Sequence, residues 1–507
     1  MKVFVTYLWG KKALATWWSL FIILSTASGF STPGLCSSPF PATCTPSSQS
    51  MQKRRRRQQS STLLFYDTAT DNSDNSGNGN NTSDSGACPF SMTFPRYRIP
   101  ISGGKDPPTK GNNILSGLFS GMLISAQKSE FERKYSASKA EVMWYDPKSK
   151  LSPDDEKDKN DEKIERGKIG VHVSAFVWRA LANLLQESIE SATLGQGDTS
   201  VEKSVIIGLP NASLVGLKQL ADIINWMGEE ERYYLPPSVK SKINIQASVE
   251  EDSPVPTIIL TRKGVPISQT NSNKVQLDED IVRERTKAWV DRVLVKMRIC
   301  PFTRSTTKSG QGLRDVGVPV GDIAYHYSSA HQSQFPLIMA DTWEAISEMV
   351  KAGPNSISSI LLAAPEFDGD FSLWAGPLFA MLEANCCASR AEPIIGIVCF
   401  HPKYRTPDGQ SWPGFGHMHS APRLGKWLKE NDEELFNKVD DTDISAGGAF
   451  QRRTPHATIN VLRAEQLEAA EGRRSTGSLY SVNIRRLYEE GFQKLEDDLR
   501  REQNLKF

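Results

Sequence analysis

Two apolar runs in the second half of the chain limit what it can fold into. Residues 357–363 read Ile-Ser-Ser-Ile-Leu-Leu-Ala, and residues 393–400 read Pro-Ile-Ile-Gly-Ile-Val-Cys-Phe. Runs this short and this apolar suit strands covered on both faces, not strands with one wet side. Helical spacing separates them, with Leu373, Leu378, Met381 and Leu382 on one face of residues 371–389. Another helix is predicted over 342–352, and further strands over 321–327 and 457–462. The resulting β-α-β-α-β order predicts a mixed, partly parallel sheet with helices packed on it. Crossovers then gather the C-terminal strand ends on one edge, where open α/β sheets hold their ligands. Pro365 and His401-Pro402 fall at such ends, which favours His401 over the other histidines.

The first half reads as a smaller α+β domain over residues 87–263. Helices are expected over 114–135, 176–191 and 213–228, with Ser213 as a cap. Strands are expected at 142–145, 169–173 and 203–207, and a hairpin from 243–247 and 256–261. The helices should cover one face of this small sheet. His172 would then lie on a strand, as a core or surface histidine. The charge run 148–168 reads as a solvated loop, since its carboxylates lack metal-ligand spacing. Residues 264–280 read as a linker.

After the linker, Trp289, Val290, Val293, Leu294 and Met297 recur at three- and four-residue spacing, a buried helical stripe. Pro301 lacks an N–H and biases Cys300 away from helical geometry, so the helix should end there. The stripe leads into Ile299-Cys300-Pro301-Phe302. Later come Phe400-His401-Pro402-Lys403-Tyr404, then Arg452-Arg453-Thr454-Pro455, the run from Val461 to Glu465, and Asn483 to Leu487. In this order and approximate spacing, residues 283–491 resemble a compact bacterial family of unknown function, domain of unknown function 1415. The domain is assigned to residues 281–495. The resemblance implies a domain and no mechanism. Arg452 stands where the family tends to have Asn, His456-Ala457 replaces an aromatic-Pro pair, and Ala364-Pro365 stands where bacterial members often show His-Pro.

The candidate constellation is Cys300, His401, Tyr404, Arg453 and His456. Read as chemistry, Cys300 is a nucleophile or redox thiol and His401 its base. Arg453, with Tyr404 and His456, anchors an anion. Against this, a thiol past a helix C-terminus meets a dipole that disfavours thiolate. His417-Met418-His419 lacks a third ligand, so no metal site is expected. Cys386-Cys387 on a helix point about 100° apart and should only pack. Glu366, Asp368 and Asp370 look like a turn and helix cap more than an acid–base pair. No cofactor can be named from these residues.

Composition sets the rest. The net charge is +1 over 507 residues, so nothing asks for a nucleic-acid partner. Lys2, Lys11 and Lys12 precede an apolar stretch too short to span a membrane, then Ala27-Ser28-Gly29-Phe30. Residues 30–66 are rich in Ser, Thr and Pro and lack acids. This N-terminus resembles the bipartite presequence of algae with secondary red plastids, with a signal peptide over 1–29 and a transit-like segment over 30–66. The resemblance implies a plastid stroma location and no membrane association of the mature form, with secretion or the ER lumen as the alternative. Residues 67–86 read as disordered low complexity. Seven cysteines without a Cys-x-x-Cys pair fit a reducing compartment. Two functions fit: a small-molecule enzyme, hydrolytic or transferase-like, with its site around His401, or a non-catalytic anion-binding, assembly or regulatory module.

Overall fold

The structure is a computed structural model. It describes residues 99, 101–103, 116–146, 162–186, 202–229, 243–264, 277–410, 418–473 and 475–506. The chain divides into two units, 1–71 and 72–507, and every described residue belongs to the second. The presequence, the low-complexity tract, most of the linker and His417 lie outside the described residues.

The fold is mixed α+β, with two mixed sheets and packed helices. The first sheet has the order β1 (Glu141–Trp144), β2 (Lys203–Gly208), β4 (Thr257–Gly264), β3 (Ile243–Glu250). β1 and β2 are parallel, and β4 runs antiparallel to both β2 and β3. Strand alternation sends Val205, Ile207, Ile258 and Leu260 to one core. Ile206 and Ile259 point the other way, onto Phe131 of α1 (Ser116–Tyr135). Helices therefore cover both faces of this sheet, not one.

The second sheet has the order β5 (Lys308–Ser309), β6 (Gly321–Tyr327), β7 (Ile357–Ala363), β9 (Thr458–Arg463), β8 (Ile395–Phe400). β6 and β7 are parallel. β9 inserts between β7 and β8 and runs antiparallel to both. β7, β9 and β8 are buried on both faces, as the apolar runs require. Along β8, Ile395, Ile397 and Cys399 enter the first core, while Val398 and Phe400 enter a second.

The first core is continuous with that of the other sheet. It is filled by α2 (Glu162–Gln186), α3 (Leu214–Gly228), α5 (Phe335–Ala352) and α6 (Phe379–Ser389). α2 packs along α5, and Arg179 bridges Asp341 and Glu344 across that seam. Gly170 brings α2 so close to α6 that a Cβ there would lie 2.0 Å from the Ser389 carbonyl. The expected strand at 169–173 is part of α2. This helix buries Val171, His172, Val173, Val177 and Trp178 on almost every side. That erases the one-sided stripe from which a helix is read.

The second core lies on the other face of the second sheet. It is built by α4 (Glu279–Trp289), a π-helical stretch Val290–Lys296, α10 (Thr476–Glu490) and α11 (Phe492–Gln503). Asp278 caps α4 through the Asp280 N–H. The helix stops earlier than Pro301 would dictate, because Arg298 adopts a left-handed φ of 55°. Side chains from α10 hold that turn. Asn483 donates to the Ile299 carbonyl at 3.0 Å, and Arg486 to that of Arg298 at 2.6 Å.

Trp343 is fully buried in the core shared by both sheets. Trp343→Ala should cost about 3–5 kcal/mol of unfolding free energy. In urea, a single shared transition should move to lower concentration. Two separate transitions would contradict a shared core.

Candidate functional site

β9 begins where β7 and β8 end, since Ala363 and Phe400 both pair with Thr458. The segments leaving those strands meet there. The Ala364 N–H donates to the Ala457 carbonyl at 2.8 Å, and the His401 N–H to that of Arg452 at 3.0 Å. His401, Tyr404, Arg453 and His456 thus come to one edge, as the strand order predicts. Their chemistry differs from the expectation.

His401 is fully buried. Its Nδ1 accepts from the Lys403 N–H at 2.9 Å, and its Nε2 donates to the Phe367 carbonyl at 3.1 Å. Those partners fix a neutral ring protonated at Nε2, tilted against Phe371 and Trp374 with centroids at 5.2 and 6.3 Å. Burial drives its pKa down to about 4, opposed by the hydrogen bond to Phe367. Both nitrogens being committed to backbone, the ring has no lone pair to act as a base.

Cys300 lies elsewhere. It packs against the second core, whereas Phe371 and Trp374 beside His401 belong to the first, across the sheet. Its Sγ is 3.5 Å from the Thr303 hydroxyl, and burial pushes the thiol pKa up. The hydrogen bonds of Cys300 and His401 go to other partners and not to each other. Of the other cysteines, Cys386 and Cys399 are free. Cys387 is disulfide-bonded and buried, as its packing position requires.

Arg453 already holds a carboxylate, at 2.8 Å from Glu496, and it lies over the Phe450 ring at 4.5 Å. Its Nε donates to the Tyr404 carbonyl at 3.3 Å. Burial pushes the Tyr404 phenol well above its ordinary value. These contacts tie the edge together and leave the guanidinium paired within the chain, which corrects its expected part as anion anchor.

His456 is different. Its Nδ1 lies 2.8 Å from Asp368 Oδ2, and the other oxygen, Oδ1, accepts the Ala457 N–H at 2.6 Å. The Nε2 is buried and has no hydrogen-bond partner. The Asp368 carboxylate thus orients one imidazole nitrogen and leaves the opposite one without a hydrogen-bond partner among the described residues. Burial raises the Asp368 pKa, and the His456 hydrogen bond works against it. The helix-cap role expected of these acids falls to Asp370, which accepts from the Ser372 and Leu373 N–H groups. Asp368 is thereby left for His456.

Arg285 also escaped the sequence reading. It lies on the buried stripe of α4 with Val282, Thr286 and Trp289, and the Asp368 charge acts on it. A basic residue on an apolar stripe was the available signal. Its helix neighbours Val282 and Arg283 border a narrow groove between α4 and strands β6 and β7. Thr286, Tyr327 and Ala363 line it. Among the described residues, no group of three His, Cys, Asp or Glu could hold a metal, and no helix is long and apolar enough to cross a membrane.

The clamp role of His401 has a pH signature. Folded and unfolded chains both hold this ring neutral above about pH 6.5. Between about 6.5 and 4 only the unfolded chain takes up the proton, so stability present above that window is lost as pH falls through it. Wild type should lose about 3 kcal/mol more than His401→Gln between pH 7 and 4. Urea unfolding at several pH values measures this, and parallel losses would contradict the clamp.

No curated protein and no solved structure matches the chain. Residues 281–412 match the model of a family described as protein of unknown function (DUF1415), a span that contains Arg285, Asp368 and His401 and stops short of His456.

Proposed function

We propose that the strand-end edge is an acid–base site acting on a small molecule, with His456 Nε2 as the proton-transferring atom and Asp368 as its orienting partner. The observation that carries this is the Asp368–His456 pair with Nε2 unpartnered. Buried polar atoms are almost always bonded, and exceptions need a reason. A nitrogen kept ready for a substrate proton is such a reason. The position supports it too, because the pair sits where strand ends meet. With Asp368 holding Nδ1–H, the His456 ring accepts a proton at Nε2 without changing orientation. The plastid stroma is the proposed location, on the strength of residues 1–66 alone.

A second reading is a non-catalytic binding or assembly module. It is favoured by the sealing of His456, which is only 3 % exposed. Turnover separates the two. The full chain is incubated with a metabolite extract and followed by untargeted mass spectrometry. Wild type and Cys300→Ser should consume the same metabolite, and His456→Gln should do so about 10²-fold or more slowly while folding normally. Consumption unchanged by His456→Gln, or no metabolite consumed by wild type, would overturn the acid–base reading.

A further inference from the structure

We infer that Arg285 binds an anionic group of the ligand, so that the molecule taken by the strand-end site carries a carboxylate or a phosphate. The inference rests on the reading of that edge as the ligand site, and it names the ligand's chemistry.

The basic residues around Arg285 are paired. Arg283 holds Glu279 and Asp280, Lys287 holds Glu284, Arg292 holds Glu502, and Lys296 holds Asp291. Arg285 is 8 % exposed, more buried than its basic neighbours on α4. Yet among the described residues no carboxylate lies within ion-pair distance of it. Leaving a buried cation without its counter-charge is costly, and a site that maintains one is built to receive a negative charge.

The geometry says where that charge goes. The Leu505 carbonyl accepts from Arg285 Nε at 3.1 Å, which fixes the guanidinium plane. Nη1 and Nη2 donate to no described residue and are not among the sealed polar atoms. A fixed guanidinium with its two terminal nitrogens open is suited to bidentate capture of a carboxylate or phosphate. Asp368 is close enough to act on Arg285 electrostatically, but both of its oxygens are already engaged by His456 and Ala457. Burial lowers the Arg285 pKa despite that carboxylate, as expected of a cation short of compensation. The anion thus sits on the α4 side of the edge, with the Asp368–His456 pair on the other.

The test is calorimetric titration of the full chain with inorganic phosphate and, separately, with acetate. Wild type should bind at least one of them saturably. Arg285→Gln should weaken that binding about tenfold or more, and Arg453→Gln should leave it unchanged. Circular dichroism checks the fold. If Arg285→Gln does not fold, Arg285→Lys serves, and it should bind more weakly than wild type because an ammonium lacks the planar fork. Neither anion binding to wild type, or Arg285 variants binding as wild type does, overturns the inference whatever His456 does. Loss of binding in Arg285→Gln, with metabolite consumption intact in His456→Gln, leaves the anion site standing and removes only the acid–base reading.

Discussion

β9 enters the second sheet between β7 and β8 and runs against both, and the rest of the strand-end edge follows from that insertion. Antiparallel pairing brings the residues before β9 beside those after its two neighbours. Residues 452–457 therefore face 364–368 on one side and 401–404 on the other. The Ala364–Ala457 and His401–Arg452 backbone bonds extend the ladders past the strand ends. They bring the His456 ring to Asp368. Because the strands are buried on both faces, a register slip by one residue would turn apolar side chains out of both cores. The same pattern that stabilises the sheet sets the positions of the site residues.

Two histidines at this edge are held in different ways. His401 is a neutral clamp. One nitrogen holds the turn after β8 and the other reaches the loop after β7, so it links two connections that would otherwise be tied only by their strands. His456 uses one nitrogen to meet Asp368 and leaves the other without a partner. Burial is common to both, and the number of committed nitrogens separates them. Arg453 and Arg285 divide in the same way. One is paired with Glu496, and the other is buried and, among the described residues, has no ion pair.

Much of the sheet was legible because its strands are apolar runs that nothing but a two-sided core explains. The edge was legible too, since crossovers decide where strand ends gather. Roles were harder to read. His401 sits where expected, but its partners are backbone groups distant in sequence, and no motif reports them. Asp368 was hidden in a Phe-Asp-Gly-Asp turn whose cap is its neighbour Asp370. Residues 169–173 alternate like a strand, although they belong to a helix enclosed on nearly all sides. Arg298 ends the helix before Pro301 can, in a conformation a proline-based rule does not foresee. Asn483 braces the turn before Cys300 through the Ile299 carbonyl, a contact with a residue far away in sequence.

His401 and His456 are held in opposite tautomers, one locked by two backbone partners and one oriented by Asp368. Nitrogen-15 NMR of the imidazoles in the full-length chain, at a pH where both rings are neutral, reads this directly. The expected result is Nε2–H for His401, and Nδ1–H with a free Nε2 lone pair for His456. An Nε2–H tautomer at His456 would mean that Asp368 does not orient it, and would contradict the claim.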